Sequence, residues 1–139
     1  MAPSMSFSRI VEHIAGFLNK PGSPELVEIG GFQSSGIASA DIGNAKGFKY
    51  AYNLAIPLYL RLKIPAVCSI STADRKISIE FTELRMYELE IWMLNTISKD
   101  GRYFRIKLSE ILSFQLDNLT LERVNYYRTM IRLSEFIED

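Results

Sequence analysis

At 139 residues, with 47% hydrophobic and 23% charged side chains, the chain has the composition of one globular domain and not of a disordered segment. Sixteen basic and sixteen acidic side chains leave a formal net charge of zero, which argues against a free-standing DNA binder with a broad basic surface. The single cysteine, Cys68, excludes an internal disulfide and points to a reducing, cytoplasmic setting.

Met1 to Phe7 lacks a basic stretch followed by an apolar one, so no secretory leader is expected. Ser6 to Leu18 predicts a first helix, with Ile10, Val11, Ile14, Phe17 and Leu18 on one stripe and Ser6 or Ser8 as its cap. Asn19 to Pro24 breaks the chain, and Pro24 suits the first turn of a short second helix to about Ile29. Gly30 to Gly47 reads as a glycine-rich loop with a helical turn or two around Ile37 to Ile42. A third helix is predicted from about Asn44 to Leu62, kinked or split at Pro57. Tyr50 to Ile70 is the most apolar stretch, but Asn53, Pro57, Arg61, Lys63 and Pro65 interrupt it, so no membrane span is expected.

From Ile64 to Phe81 the period changes to two. The alternation predicts a β-hairpin turning at Ala73-Asp74-Arg75, with Ile77, Ile79 and Phe81 facing the core and Tyr103 to Lys107 as a candidate third strand. Glu83 to Ser98, capped by Thr82, reads as a fourth helix carrying Leu84, Tyr87, Ile91 and Leu94. Leu108 to Leu116 reads as a short helix, and Thr120 caps a last one reaching Ile137. The predicted class is α+β: one domain over residues 1–139, helical at 6–62 and 82–137, with a small antiparallel hairpin or three-stranded element at about 64–81.

Catalytic chemistry finds few carriers. His13 is the only histidine, in mid-helix, and Cys68 reads as a small buried apolar residue. One His and one Cys cannot build the usual zinc site, and Gly43-Asn44-Ala45-Lys46-Gly47 has the wrong order for a phosphate loop. No enzyme activity and no cofactor are expected.

Basic groups are the stronger signal. Arg128 and Arg132 share a face of the last helix, opposite Val124, Tyr127, Met130, Ile131 and Leu133. Arg75 and Lys76 sit at the predicted hairpin turn, and Arg61 and Lys63 precede its first strand. Such groups hold phosphates and position a nucleic acid without reading its sequence. Leu108 to Leu133 also permits a helix-turn-helix, with Glu122, Arg123 and Asn125 facing bases, though neutral charge and an acidic end at Glu135 to Asp139 fit that unit poorly.

Ile37-Ala38-Ser39-Ala40, followed by Ala51, Leu54, Ala55 and Leu58-Tyr59, is similar to a segment of the small subunit of the archaeal type I-A CRISPR effector, the Cascade surveillance complex. The order of elements resembles that family as well. The resemblance covers about 25 residues. It implies a mostly helical, non-catalytic subunit that binds or stabilises nucleic acid within a larger assembly in antiviral defence. It carries over no binding residue, because the matched segment is apolar.

The leading expectation is therefore a small non-catalytic subunit of a nucleic-acid-handling assembly. It would contact RNA or single-stranded DNA through Arg61, Lys63, Arg75, Lys76, Arg128 and Arg132, and other protein subunits or a second copy through its aromatic residues. Alternatives are a pure protein-interaction module and the helix-turn-helix regulator.

Overall fold

The computed structural model describes residues 4–34, 47–50 and 57–137. The chain runs α1 (Phe7–Leu18), β1 (Leu26–Gly30), β2 (Phe32–Ser34), β3 (Phe48–Tyr50), β4 (Leu58–Ser71), β5 (Lys76–Met86), β6 (Glu90–Leu94), β7 (Phe104–Lys107), β8 (Ser113–Asn118) and α2 (Leu121–Ile137). A six-stranded antiparallel sheet dominates, in the order β1-β4-β5-β6-β7, with β8 also on β4. The 14-residue β4 serves two neighbours along its other edge: β1 pairs its first half, from Tyr59 to Leu62, and β8 its second, from Ala66 to Ser71. A two-stranded ribbon, β2-β3, stands apart from this sheet.

This corrects the predominantly helical reading. The helix expected at Pro24–Ile29 is β1, and Pro57 precedes β4 instead of kinking a helix. Of the helix expected over Asn44–Leu62, the described residues hold two strands, Phe48–Tyr50 and the start of β4, and no helix; 44–46 and 51–56 lie outside the described residues. So do the turns expected at Ile37–Ile42 and most of the segment that resembles the Cascade small subunit. The mostly helical fold implied by that resemblance is not the fold found. The helix expected over Glu83–Ser98 is the end of β5 and all of β6, and Thr82 caps nothing: it is buried in β5 and donates to the Leu94 carbonyl. Leu108–Leu116 is one 3-10 turn, Leu108–Glu110, followed by β8.

The physical reason lies in the break in β4. Arg61 pairs with Glu83 and Ala66 pairs with Phe81, so four residues of β4 face Thr82 alone. Pro65, which has no N–H to give to a ladder, sits in this irregularity. The alternation in β5 therefore slips by one: Phe81 and Leu84 both face inward, with Thr82 and Glu83 between them. A one-residue slip destroys the period-two signal across 81–84. The remaining Glu, Leu, Arg and Met are good helix formers, and pairing overrides that propensity.

Inside, Leu58, Leu60, Ala66, Cys68, Ile70, Phe81, Leu84, Met86, Ile91, Met93, Ile106 and Phe114 form one core face. Helix α1 packs on β8 and β3 through the stripe read from the sequence, and the Ser6 hydroxyl accepts from the Arg9 N–H at its start. Asn19 fastens its other end: Oδ1 accepts from the Gly47 and Phe48 N–H groups, each at 2.8 Å. Gly31, at φ 81, turns the chain from β1 into β2; a Cβ there would lie 2.9 Å from Leu58 Cα. The hairpin turn at Thr72–Arg75, strand β7 and helix α2 lie where the sequence places them, and Ile77, Ile79 and Phe81 do pack toward the core.

Helix α2 crosses the outer face of the sheet. Near its start, Arg123 and Tyr127 reach Glu80 on β5. Further along, Arg128, Ile131 and Arg132 lie against Lys63 and Ile64 of β4. Tyr127 is buried, whereas Leu133 is 57% exposed and does not anchor the helix as its place on the stripe suggests.

Candidate nucleic-acid interface

Alternation on β4 to β7 places polar and aromatic side chains on the outer face. Register then aligns them across strands: Arg105 of β7 pairs with Trp92 of β6, Trp92 with Arg85 of β5, Arg85 with Tyr59 of β4, and Tyr59 with Gly30 of β1. Cation and ring alternate along this row, which spans three inter-strand steps, roughly 14 Å. The Arg105 guanidinium lies 3.8 Å from the Trp92 ring centre, and that of Arg85 lies 5.3 Å from Tyr59 and 5.6 Å from Tyr103. Trp92 also meets Tyr87 and Tyr103, with ring centres 5.0 and 5.5 Å away. Its indole N–H donates to Glu90 at 2.9 Å, which fixes the ring's turn.

The neighbouring row runs Leu94, Glu83, Arg61, Glu28, and its last three places are charged. Arg61 pairs with Glu28 at 3.4 Å. Glu83 accepts the hydroxyls of Tyr59, at 2.8 Å, and Tyr103, and lies 3.6 Å from Arg85 Nε. Burial works to raise the Glu83 carboxyl, but the two phenol hydrogen bonds and the Arg85 charge outweigh it and hold it below the usual carboxylate range. Burial and the same carboxylate push Tyr59 up to about 12. Tyr103 is raised chiefly by its bond to Glu83.

The residues expected from the sequence divide into two groups. Lys63, Arg128 and Arg132 line one groove of about 320 Å³ with Glu25, Ile64 and Glu135, and Lys63 pairs with Glu25 at 3.8 Å. Arg61 stands on the same strand two residues away. Arg75 and Lys76 lie at the far tip of the β4-β5 hairpin, roughly 25 Å from Lys63 along the strand. There Lys76 borders a separate open groove of about 1270 Å³ beside α1. Sequence reasoning misses Tyr59, Arg85, Trp92, Tyr103 and Arg105 as a set. The alternation Glu90-Ile91-Trp92-Met93 carries the signal, but the helical reading hides it.

The helix-turn-helix reading is overturned. Its first helix is a strand, and Arg123 makes two hydrogen bonds to Glu80, 2.9 and 2.5 Å. Cys68 is fully buried, and burial pushes its thiol well up, out of nucleophilic range. Among the described residues no cluster of three or more His, Cys, Asp or Glu is placed to hold a metal ion, and no helix is long and apolar enough to cross a membrane. Comparison with protein-family models, with curated proteins and with solved structures finds no match for this chain.

Proposed function

We propose that the protein is a non-catalytic nucleic-acid-binding subunit that takes a single-stranded segment across its outer sheet face. The observation that carries this is the register-aligned row Arg105, Trp92, Arg85, Tyr59. The Arg105 guanidinium, stacked on the Trp92 ring behind it, offers an unpaired base a planar cationic stacking surface, and the same arginines offer charge to the phosphates between bases. A row of roughly 14 Å suits two or three nucleotides. Zero net charge accords with a short footprint: three or four neutralised phosphates give a shallow salt dependence, a log–log slope of about −2 to −3.

The test is fluorescence polarisation with a fluorescein-labelled single-stranded 12-mer, in RNA and DNA forms, over a salt series. Binding with a slope near that value, lost on Trp92→Ala with Arg105→Ala, is the expected result. Equal or tighter binding of blunt duplex would point instead to a backbone-only surface.

A protein-contact role has its own support in α2. Leu121, Tyr126, Leu133 and Phe136 are 72, 49, 57 and 81% exposed. Apolar side chains at this density on one helix fit a subunit that assembles with other proteins or with itself. Sedimentation of the parent and of a Leu133→Ser, Phe136→Ser variant over a concentration series separates self-association from a monomer.

A further inference from the structure

Glu83 is an odd residue to find beneath a surface meant for phosphates. It stands on the outer face, cross-strand from Arg61, yet it is only 6% exposed. Burying a carboxylate is costly unless hydrogen bonds and charge compensate it. Here Tyr59 and Tyr103 both donate to it and Arg85 stands beside it. If stability were the only requirement, a well-packed apolar side chain would serve at least as well, since buried ionic groups commonly fail to outperform apolar replacements. What a carboxylate does, and an apolar group cannot, is hold two hydroxyls and a guanidinium at once. The groups it holds come from three strands' worth of structure: Tyr59 from β4, Arg85 from its own strand β5, and Tyr103 from the entry to β7. Trp92 on the intervening strand touches the ring of Tyr103, so it is steadied through that ring.

We propose that Glu83 is the positioning residue of the binding row: it touches no nucleotide, and it fixes Tyr59, Arg85 and Tyr103 in the arrangement that a single strand meets. This rests on the reading of the row as a nucleic-acid surface. Its charge is masked from the ligand by burial and by Arg85, so it does not repel the phosphates it helps to receive. Preorganised side chains lose less rotational freedom on binding, and that saving is what Glu83 supplies.

Three measurements on the full chain test it: polarisation binding of fluorescein-labelled oligo-uridylate, ultraviolet-difference titration of the phenols, and emission of Trp92, the only tryptophan. Glu83→Gln keeps the volume and removes the charge. The expected result is binding weaker by roughly tenfold, the loss of about one charge-assisted hydrogen bond's worth of positioning. Phenol ionisation should move down toward ordinary tyrosine, and Trp92 emission should shift as its neighbour loosens. Tyr103→Phe, which keeps the ring and removes only the hydroxyl, should reproduce part of the binding loss and serves if the Gln variant fails to fold. Unchanged binding in both variants, with the phenols shifted, would overturn the positioning role. An unmoved phenol titration in Glu83→Gln would overturn it at its root, since the carboxylate would not be holding the rings. Absence of oligonucleotide binding by the parent chain would instead defeat the function proposed for the row, and the phenol and Trp92 measurements would still decide whether Glu83 organises it.

Discussion

Arg105 holds its guanidinium 3.8 Å from the centre of the Trp92 ring, on the strand beside it and at the directly opposed register position. The contact is a cation–π pair on an outer sheet face, and Arg105 remains exposed to solvent. Removing Arg105 as Arg105→Ala uncovers the ring. The expected outcome is a clear change in the emission of Trp92 with little change in melting temperature, because an exposed cation–π pair is worth only about 0.5–1 kcal/mol. Trp92→Ala should cost about 1–3 kcal/mol of single-strand binding energy, read by polarisation at one fixed salt concentration.

Charge neutralisation separates the two basic groups. Lys63, Arg128 and Arg132 share a groove and sit near Arg61, whereas Arg75 and Lys76 occupy the far hairpin tip. Lys63→Gln, Arg128→Gln and Arg132→Gln together should reduce the salt slope of binding by about 1 to 2, with each phosphate contact carrying about 0.7 for a single strand. Arg75→Gln with Lys76→Gln should leave both slope and affinity unchanged. The reverse pattern would move the interface to the hairpin tip.

Helix α2 depends on one polar anchor. Tyr127 donates to Glu80 at 2.6 Å and accepts from Asn95 at 2.9 Å, while Arg123 forks onto the same carboxylate. Tyr127 is buried, so Tyr127→Phe leaves Asn95 without its acceptor and takes one donor from Glu80. A loss of about 1–2 kcal/mol is expected by denaturant titration. Tyr127→Ala should cost more, about 3–5 kcal/mol, through the cavity as well. Hydrogen exchange in 121–137 should rise first, because few of its other side chains are buried.

Acid should weaken the fold through the same carboxylates. The Arg123 hydrogen bonds hold Glu80 below the usual carboxylate range, aided by Tyr127 and against the effect of burial, and Glu83 is held low as described above. A carboxylate with a depressed folded-state value stabilises the fold above its unfolded value, about 4.3, and that contribution disappears as pH falls through the folded-state value. Stability is therefore expected to be flat from neutral pH down to about 5 and to fall below about 4. Glu80→Gln should lower the plateau and shallow that fall; a parallel displacement of the whole curve would show that Glu80 is not one of the titrating groups.

Core chemistry offers a test of how tightly the sheet's inner face is packed. Leu84 is fully buried between β4 and β6, facing Leu60 and Met93. Leu84→Ala should cost about 2–5 kcal/mol. Cys68, equally buried, should react with a thiol reagent only through global opening, so in the same variant the reaction should speed up about tenfold for each 1.4 kcal/mol of stability lost.

Part of this fold is legible in the amino-acid sequence, but its dominant antiparallel sheet is not: β1, β6, β8 and the start of β4 all fall where helices are expected. The α1 stripe, the Ser6 cap, the β4-β5 hairpin, β7 and the Thr120–Ile137 helix follow from local periodicity and capping, because each depends on residues close in the chain. Arg61, Lys63, Arg128 and Arg132 stand out as basic groups for the same reason. Glu83–Ser98 reads as a helix because a bulge beside Pro65 reverses the alternation at Thr82 and Glu83, and the residues left over favour helix when taken alone. The aromatic row is hidden with it.

The amino-acid sequence by itself determined the periodicities, the caps, the lone cysteine and the neutral balance of charge. These are properties of neighbours along the chain, where local sterics and hydrophobic spacing act directly. Only the tertiary structure decided which residues meet: that Arg105, Trp92, Arg85 and Tyr59 stand in one line, and that Glu83 is buried under the hydroxyls of Tyr59 and Tyr103. Those meetings depend on inter-strand register, and register is set by long-range pairing and by one bulge that no local window contains.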